Sequence, residues 1–334
     1  MERASEPKPV DPSSRIIVHE VGPRDGLQNE AERLPLEARY ELVRALAAAG
    51  LTRIEVGSFV RPDWIPQLAD TGELVRKLLA SPLPAGLRLS ALVPNRTGLN
   101  RAIESGLREV AVFMSASESH NQANTNKPIA DSLAEFSQLI PAARAQGIAV
   151  RAYVSCVWGC PFEGHVDPRR ALEISNQLLA MGAQEISLGD TIGVGNPRQT
   201  REIVQLFLGG SGAVGSKPAE PGVPAGQLAL HMHDTHGTAL ANCLAAYELG
   251  IRIFDSAIGG TGGCPYAPGA AGNLATEDLV SMFADMGIGS GVDLEKLVDA
   301  GVLAQRYIGH ALTGRRLQAA LGRRAKSASP KAAT

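Results

Sequence analysis

Four cysteines in 334 residues are too few for a disulfide scaffold, and they point to a reducing compartment. Thirty-two lysines and arginines face 34 aspartates and glutamates, so the formal net charge is only −2. No basic block stands out, and nucleic acid is not expected as a partner. No apolar run approaches the roughly 20 residues that span a bilayer, so no membrane partner is expected either. The opening residues, Met1 to Ser14, are polar and carry Glu2, Glu6 and Asp11. They read as a disordered tail, not a secretory signal or a transit peptide, and a cytoplasmic setting follows as the expectation. From about Arg323 to Thr334 the chain is rich in Arg, Lys, Ala and Ser. It reads as a second disordered tail, without a peroxisomal tripeptide at its end. Cys156 and Cys160 flank a turn, but a Cys-x3-Cys with no second pair is a weak zinc pattern. Packing is their expected role.

What is present is an ordinary apolar content, 44%, enough for a substantial core. Apolar, β-branched runs recur at Ile16–Val21, Arg53–Phe59, Leu87–Val93, Glu109–Met114, Ala149–Cys156, Glu185–Leu188, Leu228–His233 and Ile251–Ala257. Each is short and continuous, which predicts fully buried strands. Helical spacing fills the intervals: Leu36–Ala49, Trp64–Leu79, Thr97–Glu104, Ile129–Ala145, Pro168–Met181, Pro197–Leu208 and Ala239–Leu249. Gly50, Gly106, Gly147, Gly182 and Gly250 close helical stretches just before the next strand. Eight strand–helix units predict an α/β fold, a (β/α)8 TIM barrel, over residues 15–322. A C-terminal helical extension is expected at roughly Leu294–Leu321. Gly209–Gly226, rich in Gly, Pro, Ala and Ser, reads as a flexible insertion on the N-terminal rim. An open doubly wound sheet would need a glycine-rich nucleotide turn after the first strand, and Gly22-Pro-Arg-Asp-Gly26 does not fit that pattern.

In such a barrel, chemistry sits at the C-terminal ends of the strands. Strand one ends in Arg24-Asp25-Gly26-Leu27-Gln28, strand two carries Glu55 and Ser58, and strand six ends at Asp190. Strand seven supplies His231 and His233, whose side chains share a face because one residue separates them. Spacing alone leaves these histidines as either half a metal site or the polar end of a strand. Asp25, His231, His233 and Asn273 together make an oxygen/nitrogen donor set without thiolate. That set favours Mg²⁺ or Mn²⁺ in an open octahedral site, with zinc as the less favoured choice. Arg24 at a buried mouth suits a developing enolate or a carboxylate, and Glu55 suits a partner that orients it. Asp190 reads either as an acid–base group or as a hydrogen-bond anchor for its loop. Cys264, between glycines, reads as a proton donor, a group closing over the ligand or an inert small residue.

The segments Glu20-Val-Gly-Pro-Arg-Asp-Gly-Leu-Gln-Asn-Glu30, Ile54-Glu-Val-Gly-Ser-Phe59, Ser187-Leu-Gly-Asp-Thr-Ile-Gly193, His231-Met-His-Asp-Thr235 and Gly262-Gly-Cys-Pro-Tyr-Ala-Pro-Gly-Ala-Ala-Gly-Asn-Leu-Ala-Thr-Glu-Asp278 together resemble the 3-hydroxy-3-methylglutaryl-CoA lyases. These are a branch of the metal-dependent barrel lyases and Claisen-type synthases. The resemblance implies an acyl-CoA substrate, a divalent cation on Asp25, His231, His233 and Asn273, and Arg24 stabilising the departing enolate. It also implies Glu55 positioning Arg24, Gln28 and Ser58 near the acyl group, and Asp190, His231 and Cys264 as acid–base or loop residues. A homo-oligomer is expected. Three places depart from the family pattern: Ala31 stands where a lysine is common, His236 where a tyrosine is common, and Ser117–Lys127 holds few lysines. They leave the metal set intact and open the acyl specificity to a longer or different 3-substituent. A condensing synthase, a metal-dependent hydrolase and a non-catalytic metal-binding barrel are the other readings of the same residues.

Overall fold

Eight parallel strands close on themselves in sequence order, β1 pairing with both β2 and β8. They are β1 Ile17–Glu20, β2 Arg53–Ser58, β3 Arg88–Leu92, β4 Glu109–Ser115, β5 Ala149–Ser155, β6 Glu185–Asp190, β7 Leu228–Met232 and β8 Ile253–Ser256. The structure, a computed structural model, describes residues 14–210, 221–263 and 272–328. The outer layer comprises α1 Leu36–Ala48, α2 Thr71–Leu79, α3 Arg96–Ser105, α4 Glu118–Thr125, α5 Ile129–Ala145, α6 Pro168–Ala180, α7 Pro197–Phe207 and α8 Ala239–Glu248. Three more follow: α9 Thr276–Asp285, α10 Leu294–Ile308 and α11 Arg315–Ala328. Local chemistry sets the helix ends. Asn95, Asp167, Asn196 and Asp293 accept first-turn backbone N–H groups, and Gly106 and Gly309 end α3 and α10 in the left-handed conformation.

The barrel predicted from the sequence is present, with every strand bound within two residues; the largest differences are at β6, where Gly189 and Asp190 continue the strand, and at β8, which starts at Ile253. The strands are not apolar on both faces, however. In β5 the outward residues Val150, Ala152 and Val154 join the helix-packed core, while Arg151 and Tyr153 point into the barrel. Phe254, Ile186 and Leu188 likewise face outward. Asp255 and Ser187 meet across the interior at 2.8 Å. Charge fills this inner space because it is paired: Arg151 reaches Glu185 at 2.6 Å and Asp255 at 2.5 and 3.0 Å, and Arg53 reaches Glu185 at 2.6 Å. The continuous runs concealed an alternation.

The C-terminal extension is two helices. Residues 323–328, expected as tail, continue α11, and Arg324 there lies 2.7 Å from Asp299 of α10. The distal flank of the Gly209–Gly226 stretch is pinned: Val223 is buried and its N–H donates to Phe207, while Asn176 donates to the Pro221 carbonyl at 3.0 Å. Residues 211–220 lie outside the described residues.

A buried carboxylate ties the two ends of the barrel sheet together. Glu20 accepts from the N–H groups of Gly22 and Ile258, each at 2.8 Å, and from the Thr276 hydroxyl at 2.6 Å. A side chain at position 22 would stand 2.5 Å from that carboxylate, so the close turn requires glycine. Glu277 holds the Gly259 N–H at 2.9 Å. Burial raises Glu20 to about 7 and Glu277 to about 8 despite these donors. The folded chain therefore binds these protons more tightly than the unfolded chain. Their contribution to stability is full below the ordinary carboxylate range and is lost as pH rises through about 7 to 8. In denaturant unfolding between pH 5 and 8, the stability of the wild type relative to Glu20→Gln should fall as pH rises through about 7, and a difference independent of pH would contradict the raised Glu20 pKa. The slope per group approaches about 1.4 kcal/mol for each pH unit.

Candidate metal centre and active site

The chain leaves β1 through a π-helical turn, Gly22–Gly26. The Val21 carbonyl accepts the N–H groups of Arg24 at 3.0 Å and Asp25 at 2.7 Å. This tight turn delivers two adjacent charged side chains to the barrel mouth. On the other side, His231 is on β7 and His233 lies just beyond it. The backbone of His233 forms an antiparallel bridge with Asn273, and Leu274 N–H donates to the Met232 carbonyl at 3.0 Å. That stitching carries the strand-eight loop back over β7 and sets Asn273 against the first-strand turn.

Three of the four proposed ligands converge. One ligand atom each from Asp25, His231 and His233 lies within 4.8 Å of the others. The two Nε2 atoms are 3.3 Å apart, and His231 Nε2 is 3.8 Å from Asp25 Oδ2. Two imidazole nitrogens sharing one ion at about 2.0–2.1 Å would lie roughly 3.0–3.4 Å apart, so the pair fits. Asn273 is beside them, but its Nδ2 donates to Asp25 Oδ2 at 2.8 Å and to the Thr261 carbonyl at 3.1 Å. Here it orients the Asp25 carboxylate and does not present its oxygen.

The charge states suit cation binding. Burial opposes ionisation of Asp25, but Arg24 and the two histidines bring it down to about 2. Burial, then His231, lowers His233 to about 4, so its imidazole is neutral at pH 7. Arg24 is buried, and although burial disfavours its charge, Asp25 and Glu55 hold it firmly protonated. It pairs with both carboxylates. The Tyr153 hydroxyl donates to the other oxygen of Glu55 at 3.1 Å, and the Arg24 guanidinium lies 5.3 Å from the Tyr153 ring centre. Tyr153 also meets His231 edge-on, with ring centres 5.8 Å apart.

Beside these groups is a cavity of about 310 Å³ whose wall includes Arg24, Asp25, Gln28, His231 and His233. Elsewhere its lining mixes an apolar patch (Val60, Ile65, Leu92, Phe113 and Phe136, with Trp64 at an exposed edge) and polar side chains such as Arg61, Asn95 and Glu135. His120, Asn124, Thr125 and Lys127, from the Ser117–Lys127 segment, also line it. That segment contains α4, which the sequence reading left out.

Several expected residues are elsewhere. Ser58 is not on the cavity wall; it is buried, and its hydroxyl accepts the Val60 N–H at 3.3 Å, bonding back to its own turn. Asp190 is also off the wall. Its two oxygens accept Val194 N–H at 3.1 Å and Gly195 N–H at 2.8 Å, so it anchors the loop after β6, and burial raises it to about 6. His236 and Ala31 are exposed. Cys264 lies outside the described residues. Cys156 and Cys160 are free and buried, in keeping with packing. Sequence reasoning missed Arg151, Tyr153 and Asp255. The one available signal was an arginine, a tyrosine and an aspartate inside otherwise apolar strands.

Comparison with known proteins adds an independent line. The HMGL-like family model matches residues 15–303. The mitochondrial hydroxymethylglutaryl-CoA lyase of Bos taurus is 46% identical over 86% of this chain and 84% of its own length. A Pseudomonas aeruginosa protein, 3-hydroxy-3-isohexenylglutaryl-CoA/hydroxy-methylglutaryl-CoA lyase, is 46% identical over 92% of this chain and 98% of its own. The crystal structure of hydroxymethylglutaryl-CoA lyase from P. aeruginosa superposes with a TM-score of 0.85 at 44% identity, covering 93% and 98% of the two chains. With the barrel, the clustered Asp25, His231 and His233, and a family match spanning all eight barrel strands, this chain belongs to the HMGL-like family.

Proposed function

We infer that this protein is a carbon–carbon lyase that cleaves 3-hydroxy-3-methylglutaryl-CoA to acetoacetate and acetyl-CoA. The observation that carries the reading is a buried, permanently charged Arg24 beside the Asp25–His231–His233 cluster on the wall of a cavity that also carries an apolar patch. The names of relatives at 46% identity support it.

The substrate is a tertiary alcohol β to a thioester. Loss of the hydroxyl proton lets its oxygen form a ketone while the C2–C3 bond breaks. That electron pair passes to the thioester as an enolate, which takes a proton to become acetyl-CoA. Arg24 provides the cation beside which that enolate forms, and Glu55 and Tyr153 keep its guanidinium plane fixed. A divalent cation on Asp25, His231 and His233, when bound, makes the hydroxyl more acidic. Asn273 would supply the fourth donor through its amide oxygen, in place of the hydrogen bond its Nδ2 gives to Asp25. The oxygen/nitrogen set favours Mg²⁺ or Mn²⁺ over zinc. His231 and Cys264 are the acid–base candidates, Asp190 acts through its loop, and Gln28 contacts the acyl group. A homo-oligomer in the cytoplasm completes the reading; sedimentation and cell fractionation test those two points.

The apolar wall favours a second, broader substrate range. Leu92 and Phe113 line the cavity next to Tyr153, which itself touches His231. A 3-substituent longer than methyl would find hydrocarbon there instead of water. One relative's name includes an isohexenyl substrate.

Arg24→Met should lower kcat by on the order of 10²–10³ while Mn²⁺ binding stays near wild type. Full turnover in that variant would remove Arg24 from the chemistry. His233→Ala should lose, on dialysis, the ion that the wild type retains, as read by elemental analysis. Offered 3-hydroxy-3-alkylglutaryl-CoA esters of increasing branch length with Mg²⁺ or Mn²⁺, the wild type should release acetyl-CoA from the methyl ester and keep activity on longer branches. A Phe113→Trp variant should reject the longer esters selectively. Release of free CoA in place of acetyl-CoA would identify a hydrolase.

A further inference from the structure

We propose that Asp255 is a positioning residue for His231: locked by Arg151 and Ser187, it holds the imidazole with its proton on Nδ1, so that the bare Nε2 faces the cation site. The inference rests on the metal reading given above.

The argument is one of donors and acceptors. Asp255 is fully buried on β8 and receives hydrogen bonds on both oxygens. Oδ1 takes Arg151 Nη2 at 2.5 Å. Oδ2 takes Arg151 Nη1 at 3.0 Å and the Ser187 hydroxyl at 2.8 Å, and lies 3.2 Å from His231 Nδ1. A carboxylate paired with a guanidinium is ionised and only accepts, so the hydrogen between it and the imidazole belongs to Nδ1. A neutral imidazole has one N–H, and Nε2 is therefore left with a lone pair. That lone pair faces His233 Nε2 at 3.3 Å and Asp25 Oδ2 at 3.8 Å, the other atoms of the candidate cation site. The neighbouring ligand has no such arm: His233 Nδ1 is buried with no hydrogen-bond partner among the described residues. Orientation of the pair thus falls to one carboxylate. Arg151 does not need Asp255 alone to neutralise it, since Glu185 stands 2.6 Å away. Three strands, β5, β6 and β8, fix the carboxylate that aims a ligand on β7.

The test is direct binding of Mn²⁺ followed by electron paramagnetic resonance, which needs no substrate. Asp255→Asn, whose amide can offer hydrogen to Nδ1 and so force the proton onto Nε2, should weaken Mn²⁺ binding about 10–100-fold. Its circular dichroism should stay that of the wild type. Ser187→Ala, which keeps both charges and removes one anchor, should weaken it less and in the same direction. Wild-type affinity in a folded Asp255→Asn would overturn the proposal. A second measurement needs no variant to fold: ¹⁵N-histidine spectra of the metal-free wild type should give His231 a protonated Nδ1 and an unprotonated Nε2, and the opposite tautomer would also overturn it. A wild type that binds Mn²⁺ yet cleaves no ester would sink the lyase reading alone, leaving the spectrum and the Mn²⁺ titration to decide the role of Asp255.

Discussion

Charge taken out of water has to be paired, and that requirement organises the inside of this barrel. An unpaired ion in a protein interior costs several kcal/mol or shifts its pKa until it is neutral. Here the inner face carries Arg53, Arg151, Glu185 and Asp255, each within 3.0 Å of an opposite charge. At the mouth, Arg24 lies between Asp25 and Glu55. The arrangement leaves Asp25 ionised and His233 neutral, the protonation states a cation requires of its ligands. Site and scaffold are one network: Tyr153 bonds Glu55 by its hydroxyl, and its ring lies 5.3 Å from one guanidinium carbon and 4.7 Å from another.

Much of this was legible in the chain. Eight apolar runs with glycine stops mark the strand–helix repeat, and the repeat fixes which residues share a mouth. From that follows the meeting of Asp25 with His231, although 206 positions separate their numbers: β1 and β7 both flank β8. What stayed hidden depends on partners far along the sequence. Arg151 and Asp255 are 104 residues apart, and nothing local to either announces the other. A buried ion pair inside an apolar strand looks, from sequence alone, like a polar interruption.

Where the sequence misled, local hydrogen bonding was the reason. Ser58 and Asp190 have side chains able to satisfy nearby backbone N–H groups, and in the fold they do so. The family resemblance put Ser58 near the acyl group, while Asp190 read as an acid–base group or a loop anchor; the geometry spends the oxygens of both on holding turns, which is the anchor reading for Asp190. Asn273 is an intermediate case, present at the cluster but bonded to a ligand through its nitrogen.

The alternation within β5 has a further consequence. Hydrophobicity is a poor guide to alignment between strands that are apolar along their outer face and flanked by similar strands, because one valine or leucine replaces another at small cost. A slip of β5 by a single position would instead thrust Arg151 among the helices and swing Val150 into the polar interior, and β8 would do the same with Asp255 and Phe254. The salt links therefore act as index marks: they penalise every mis-threaded barrel, and any substitution at one of them has to be answered at its mate.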